Sequence, residues 1–254
     1  MTLPSLVFTL VLALSRVSAF VTVFPLFAGR NLPNTVKIGL SVVLTFIWFT
    51  SGIPSTGVTP GPDGSWGSML VWSVAAVRET CLGAALAFAM GLFLLPLQVA
   101  GTFIGQEMGL SMASQADPTS QGAASVVSQF FLTIGMLMFF TFDLHHSLLR
   151  ALHVSFFTRP IGQPFEFPSV ATLFSGLADA HEAGLLLSAP IVGALFIALI
   201  ALLVTARSAP QLNMFSVGFP FRLVVGLIAA FVFFPEMCVL GLRAMSRMTN
   251  VASW

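Results

Sequence analysis

Charge is what this sequence has least of. Only 7% of its 254 residues are charged, while 57% are hydrophobic. A soluble domain carries about 25% charged residues. Mean hydropathy is +0.98, and so few charges cannot cover a water-facing surface. The solvent for much of the chain is therefore lipid or other apolar protein. A net charge of +1, with no cluster of Lys or Arg, excludes the basic patch of a nucleic-acid binder. Cysteine is nearly absent. Cys81 and Cys238 both lie inside apolar runs, which reads as two small core residues and not a disulfide framework.

Complete catalytic constellations are also missing. His181-Glu182 begins a zinc-protease pattern, but Leu185 stands where the second histidine ligand belongs. Gly109-Leu110-Ser111-Met112 begins a nucleophile elbow, but Ala113 replaces its last glycine and no strand precedes it. No glycine-rich loop with Lys-Ser/Thr offers a phosphate cradle, so the chain is not a nucleotide-driven motor. Asp143, His145 and His146 are donor types for a metal, with no cysteine or further carboxylate nearby in sequence. They read as a helix-start Asp followed by interfacial His residues.

What is present is a series of long apolar runs: 3–24, 36–53, 69–95, 123–142, 185–206 and 218–242. Each approaches the roughly 20 residues of a spanning helix, which predicts an all-α integral membrane protein with about six hydrophobic helices. Alternating ten-residue segments of a β-barrel are absent. Val17-Ser18-Ala19 resembles a cleavage site. No basic segment precedes it, Arg16 interrupts the run and Phe20–Phe27 stays apolar, so a retained first helix is expected. The segment 144–157 places His146, Arg150 and His153 on one helical face and Leu148, Leu149, Leu152 and Phe156 largely on the other. This predicts an amphipathic helix at an interface. Basic residues nearly tie between the two sides of a six-span arrangement: Arg30, Lys37, Arg207 and Arg222 against Arg150, Arg159, Arg243 and Arg247. That is unusual for a simple multi-span protein.

Three polar features stand out. Arg16, Arg78 and Glu79 lie inside apolar runs and need partners. No deeper carboxylates continue a proton relay, so they read as buried polar tethers between subunits. A glycine-broken polar insert, 101–122, reads GTFIGQEMGLSMASQADPTSQG and carries the adaptable Met108 and Met112. It is either a solvent loop or a plug lining a cavity. Gly83, Ala87 and Gly91 recur every fourth residue as a close-approach stripe, expected to face a sister subunit. A stand-alone transporter would need paired charges at broken helices. Pro96 and Pro190 offer breaks, but no paired charges lie beside them.

The stretch Arg207-Ser-Ala-Pro210-Gln211-Leu-Asn213-Met-Phe215-Ser-Val-Gly218-Phe219-Pro220, followed by Gly226, resembles the R-x-x-P-Q-x-N-x-F-x-x-G-F-P turn of the FliR/SctT family of type III export-apparatus proteins. Pro25-Leu26-Phe27 with Pro33, Arg78-Glu79 with Gly83, Gly105-Gln106 to Pro118, and Asp143-Leu144-His145-His146 with Ser155-Phe156 and Pro160 also match. The resemblance covers essentially the whole chain. The G-F-P ending is closer to the flagellar branch. Asp143-Leu144 departs from the family by standing where many members have a glycine pair.

The resemblance implies one export-gate membrane domain, 1–254. It would have a FliP-like part over 1–183 and a C-terminal helical hairpin, FliQ-like, over 184–254. It implies a pore plug at 105–122, including Gly105, Gln106, Met108, Gly109, Met112, Asp117, Pro118 and Gly122, and a hairpin turn at Arg207–Pro220. It further implies a single copy closing a ring of FliP/SctR-like subunits beside FliQ/SctS-like ones. FlhB/SctU-like and FlhA/SctV-like components and unfolded export substrates are the other expected partners. The expected location is the bacterial inner membrane, in the flagellar basal body. No catalytic residue, cofactor or metal is implied.

Overall fold

A computed structural model describes residues 3–28, 32–52, 66–110, 126–162, 170–208 and 214–251. Nine helices occur among these residues: α1 (Leu3–Val23), α2 (Pro25–Ala28), α3 (Asn34–Thr50), α4 (Trp66–Gly91), α5 (Leu95–Glu107), α6 (Val126–Thr141), α7 (Leu144–Thr158), α8 (Val170–Ser208) and α9 (Met214–Val251). No strand occurs among them, and the protein is an all-α integral membrane protein.

The six apolar runs yield four helices long and apolar enough to cross a bilayer, or five if α6 and α7 count as one span. The difference is one of length. The run at 36–53 becomes the 17-residue α3, about 26 Å long against a hydrocarbon core of about 30 Å. The run at 69–95 ends at Gly91, turns at 92–94, and restarts with Pro96 in the first turn of α5, where a missing N–H is harmless. The two C-terminal helices, by contrast, have 39 and 38 residues. At 1.5 Å per residue each is about 57 Å long. Pro190 lies inside α8, and Pro220 and Pro235 lie inside α9. The break expected at Pro190 is therefore a continuous helix.

The chain divides into two compact units. The first comprises Met1–Gly91, Asp143–Phe174 and Thr249–Trp254. Its central element is α1, which packs against α3 and α4. Leu12, Ala13, Arg16, Val17, Phe20 and Phe24 are all buried, and their spacing is the 3.6-residue period of one helical face. The small residues of α4 receive that face. A Cβ on Gly83 would overlap the Arg16 carbonyl, and one on Gly91 would press on the Pro25 ring. Ala87 between them is wholly buried. The stripe expected to face a sister subunit is thus used inside the chain, because only hydrogen in place of a side chain lets α1 and α4 approach this closely. On α7, Leu148, Leu152, Ser155 and Phe156 are buried while His146 and Arg150 are exposed. The amphipathic reading holds with Leu149 moved to the exposed face. Trp48 of α3 meets the rings of His153 and Phe156.

The second unit comprises Leu92–Phe142 and Ser175–Met248. Here α5 packs against α6. A Cβ on Gly101 would lie 2.6 Å from Ser128 Cα, and one on Gly135 would meet the side chains of Leu97 and Leu94. Phe93 stacks on Phe139 with ring centroids 5.1 Å apart. From α8, Gly184 seats against Val99 and the Pro96 carbonyl.

Hydroxyls within these apolar helices turn back on their own backbone. Ser41 donates to the Lys37 carbonyl at 2.8 Å, Thr45 to Ser41 at 2.7 Å, Ser73 to Met69 at 2.9 Å and Thr133 to Gln129 at 2.8 Å. Such i−4 bonds leave no bare donor facing hydrocarbon.

Gly83→Val drives a side chain into the α1 backbone. It is expected to lower stability by about 1–3 kcal/mol or more, read as a lower midpoint in thermal unfolding in detergent. Gly39, with nothing within 4 Å of its Cβ direction, is the control. Gly39→Ala is expected to leave the midpoint unchanged or raise it slightly.

Candidate functional site

Arg16 and Glu79 are the most buried charges among the described residues, at 1% and 2% exposure. An ionised group in such a place must be paired and hydrogen-bonded. Arg16 Nε donates to Glu79 Oε2 at 2.6 Å. Its Nη1 donates to the Ser155 carbonyl at 3.0 Å and its Nη2 to the Arg159 carbonyl at 3.0 Å. Ser155 lies in the last turn of α7, its carbonyl also taking the Arg159 N–H, and Arg159 is the residue that ends the helix, where the helix dipole favours a cation. The guanidinium carbon also lies 4.6 Å from the Phe156 ring centroid. The other oxygen of Glu79 accepts the Gly162 N–H at 3.2 Å. One guanidinium and one carboxylate therefore join α1, α4 and the end of α7. Burial, and secondarily the positive charge of Arg16, hold Arg159 below the usual arginine range.

The tether expected between subunits thus runs, for Arg16 and Glu79, between helices of one chain. The α1–α4 approach at Gly83 brings the two residues together. Arg78, about 100° around α4, is only partly buried. The end of α7 as a third participant was missed by sequence reasoning. Its signal is backbone carbonyls, which no residue type announces.

The stem of the polar insert is the second feature. Of the expected plug residues, Gly105, Gln106, Met108 and Gly109 are described, while Met112, Asp117, Pro118 and Gly122 lie outside the described residues. The polar stretch begins later than the sequence suggested, since Gly101, Gly105 and Gln106 are helical parts of α5. Gly101 is there for its close approach to α6. The helix ends by a Schellman motif. The N–H of Gly109 bonds to the Gln106 carbonyl and that of Leu110 to the Gly105 carbonyl, with Gly109 at φ +84°. Gly109 is therefore a helix terminator and not the opening of a nucleophile elbow.

Met108, at the cap, is 2% exposed. A Cβ on Gly226 of α9 would collide with its side chain, and one on Gly109 would lie 3.4 Å from the Phe219 ring, an ordinary contact distance. Phe219 and Gly226 are seven residues apart and share one face of α9. That face is the seat of the stem. The missing side chain at Gly226 is the signal that could have located it.

The C-terminal turn is shorter than its motif. Arg207 is exposed in the last turn of α8, and Phe215, Gly218 and Pro220 belong to α9, whose apolar pattern already runs from Met214. Pro210, Gln211 and Asn213 lie outside the described residues. Of the sequence fragments that hinted at catalysis, His181 and Glu182 are exposed on α8. Asp143 precedes α7 but makes no side-chain cap bond, because it adopts the left-handed conformation at φ 54°.

Arg16→Met or Glu79→Gln alone leaves a buried partner uncompensated and is expected to destabilise by about 3–5 kcal/mol. The double substitution is expected to recover much of that loss. A double-mutant cycle on thermal unfolding checks both. For the stem, Gly226→Ala is expected to evict Met108 from its seat, read as faster proteolysis or labelling of a cysteine at position 110.

Comparison with known proteins gives the family. Residues 7–248 match the family described as bacterial export proteins, family 1. The chain is 34% identical over 221 residues to the flagellar biosynthetic protein FliR of Pectobacterium carotovorum subsp. carotovorum, spanning 84% of this chain and 79% of that protein. It is 33% identical over 215 residues to FliR of Escherichia coli (strain K12), with the same two shares. It is 31% identical over 217 residues to FliR of Bacillus subtilis (strain 168), spanning 84% of this chain and 81% of that protein. The chain therefore belongs to the FliR family of bacterial export proteins.

Proposed function

We propose that this chain is a structural, non-enzymatic subunit of the flagellar protein-export gate in the bacterial inner membrane. In this reading it closes a ring of FliP/SctR-like subunits, with FliQ/SctS-like subunits alongside, and obstructs the shared conduit. Unfolded flagellar proteins displace the obstruction as they pass. FlhB/SctU-like and FlhA/SctV-like components lie on the cytoplasmic side. Energy comes from elsewhere in the machine.

The observation that carries the reading is the anchoring of the polar insert. Its stem is fixed by a helix terminator at Gly109 and by Met108 seated on Gly226. The two helices that flank it are in backbone contact at Gly101 and Ser128. The insert therefore leaves and re-enters at one end of a tightly packed helix pair. The described residues on either side of the insert are thereby held in place, as an obstruction requires.

Exposed apolar surface supports the gate reading. Phe231 is 83% exposed, and Leu203, Val204, Leu227 and Ile228 are exposed as well. They lie on helices longer than a bilayer is thick, so part of each helix needs a covering other than lipid. Partly buried Arg78 on α4 is the charge left for a neighbouring subunit. A stand-alone transporter gains no support, because Pro190 does not break α8 and Arg16 is fully engaged by its own chain.

Deleting Ser111–Gln121 while keeping Met108–Leu110 tests the plug. The deletion is expected to raise resting ion conductance severalfold while co-purification of the FliP-like protein persists. Unchanged conductance in an assembled complex would overturn the obstruction. Purification of the chain alone, as a carrier of small solutes across liposomes, would overturn the gate.

A further inference from the structure

We propose that Asp143, His145 and His146 form a surface site for a divalent transition-metal ion of the zinc class, at the start of α7. The inference is independent of the export reading. One oxygen or nitrogen from each of the three residues lies within 4.8 Å of the others. Asp143 Oδ1 stands 3.8 Å from His145 Nε2 and 3.6 Å from His146 Nδ1. These separations are too long for hydrogen bonds, which for such pairs lie near about 2.7–3.2 Å. They are close to the spacing of donors around one ion. Zn–N and Zn–O bonds of about 2.0–2.1 Å in a tetrahedron place neighbouring donors about 3.3–3.5 Å apart. A few tenths of an ångström of side-chain adjustment brings the Asp143 oxygen to ligand spacing from both imidazoles.

The backbone explains why the three groups converge. Asp143 occupies the position before α7, where an Asp ordinarily accepts from the first-turn N–H groups. Its left-handed φ of 54° aims the carboxylate elsewhere, and no cap bond forms. The carboxylate stands beside the two imidazoles instead, and their rings lie 4.2 Å apart. The conformation suits glycine better than aspartate, so the side chain at this position contributes something other than backbone fit.

The site is open to ions, with the Asp143 and His146 side chains 74% and 73% exposed. Three protein donors leave a fourth position for water. The positive end of α7 and the exposed Arg150 one turn on oppose a cation. The Asp143 charge offsets them, and it is the donor whose loss matters most.

The test uses the full chain in detergent, with any subunits that accompany it, titrated with Zn²⁺ and with Co²⁺ as the optical probe. One saturable ion per chain is expected, with the intense visible bands of tetrahedral cobalt and a rise in the thermal midpoint on adding Zn²⁺. Asp143→Gly suits the backbone conformation and so keeps the fold. It and His146→Gln are each expected to weaken binding by at least about tenfold, the loss that even an outer partner of a ligand causes. His181→Gln is expected to leave binding unchanged. Absence of saturable binding, or equal binding by Asp143→Gly and His146→Gln, overturns the site.

Discussion

An arginine inside an apolar helix has to find a carboxylate and enough acceptors for the rest of its fork, and in this chain that demand organises the first unit. Arg16 can reach Glu79 only if α1 and α4 nearly touch, which is why Gly83 has no side chain where the Arg16 carbonyl passes. Its remaining donors reach the Ser155 and Arg159 carbonyls at the end of α7, and the second Glu79 oxygen takes the N–H of Gly162. Each contact is a hydrogen bond to a charged group, and those of Arg16 to Glu79 and to the Ser155 carbonyl are buried, so they are stronger than their surface counterparts. Because the ion pair satisfies itself inside the chain, it is unavailable for the relay that would be needed to move protons across the membrane.

Helix class was legible because lipid requires the backbone to satisfy itself, and the apolar runs met that requirement over the right lengths. Lengths and breaks were less legible. Leu92–Leu94 reads as one more piece of a long apolar run, yet the chain turns there. Pro190 looked like a break and is accommodated within α8, since a neighbouring turn of a long helix tolerates one lost bond. Gly101 looked like loop and is helical, because a glycine demanded by helix contact and a glycine demanded by a turn are the same letter. Periodicity located the stripe Gly83, Ala87 and Gly91 but could not say whether a sister subunit or α1 would fill it.

The two parts of the candidate site differed in the same way. Arg16 and Glu79 were conspicuous because charge in an apolar run is costly wherever it sits. The seat of the insert was not conspicuous. Met108 is an ordinary apolar residue, and its partner Gly226 marks the contact by having no side chain at all. Gly109 was visible as a glycine, but its duty as helix terminator needed its φ and the bonds of Leu110 to be seen.

The length of the last two helices has a consequence for how the protein is made. The apolar run 185–206 of α8 is part of a helix of 39 residues, about 58 Å long and well beyond the hydrocarbon core of one bilayer. A nascent chain released into the bilayer by itself would have to lean steeply or hold the rest of the helix, with exposed Phe174 and Leu177, in water. Either state invites proteolysis or clumping, so the timing of companion synthesis becomes part of this molecule's folding problem.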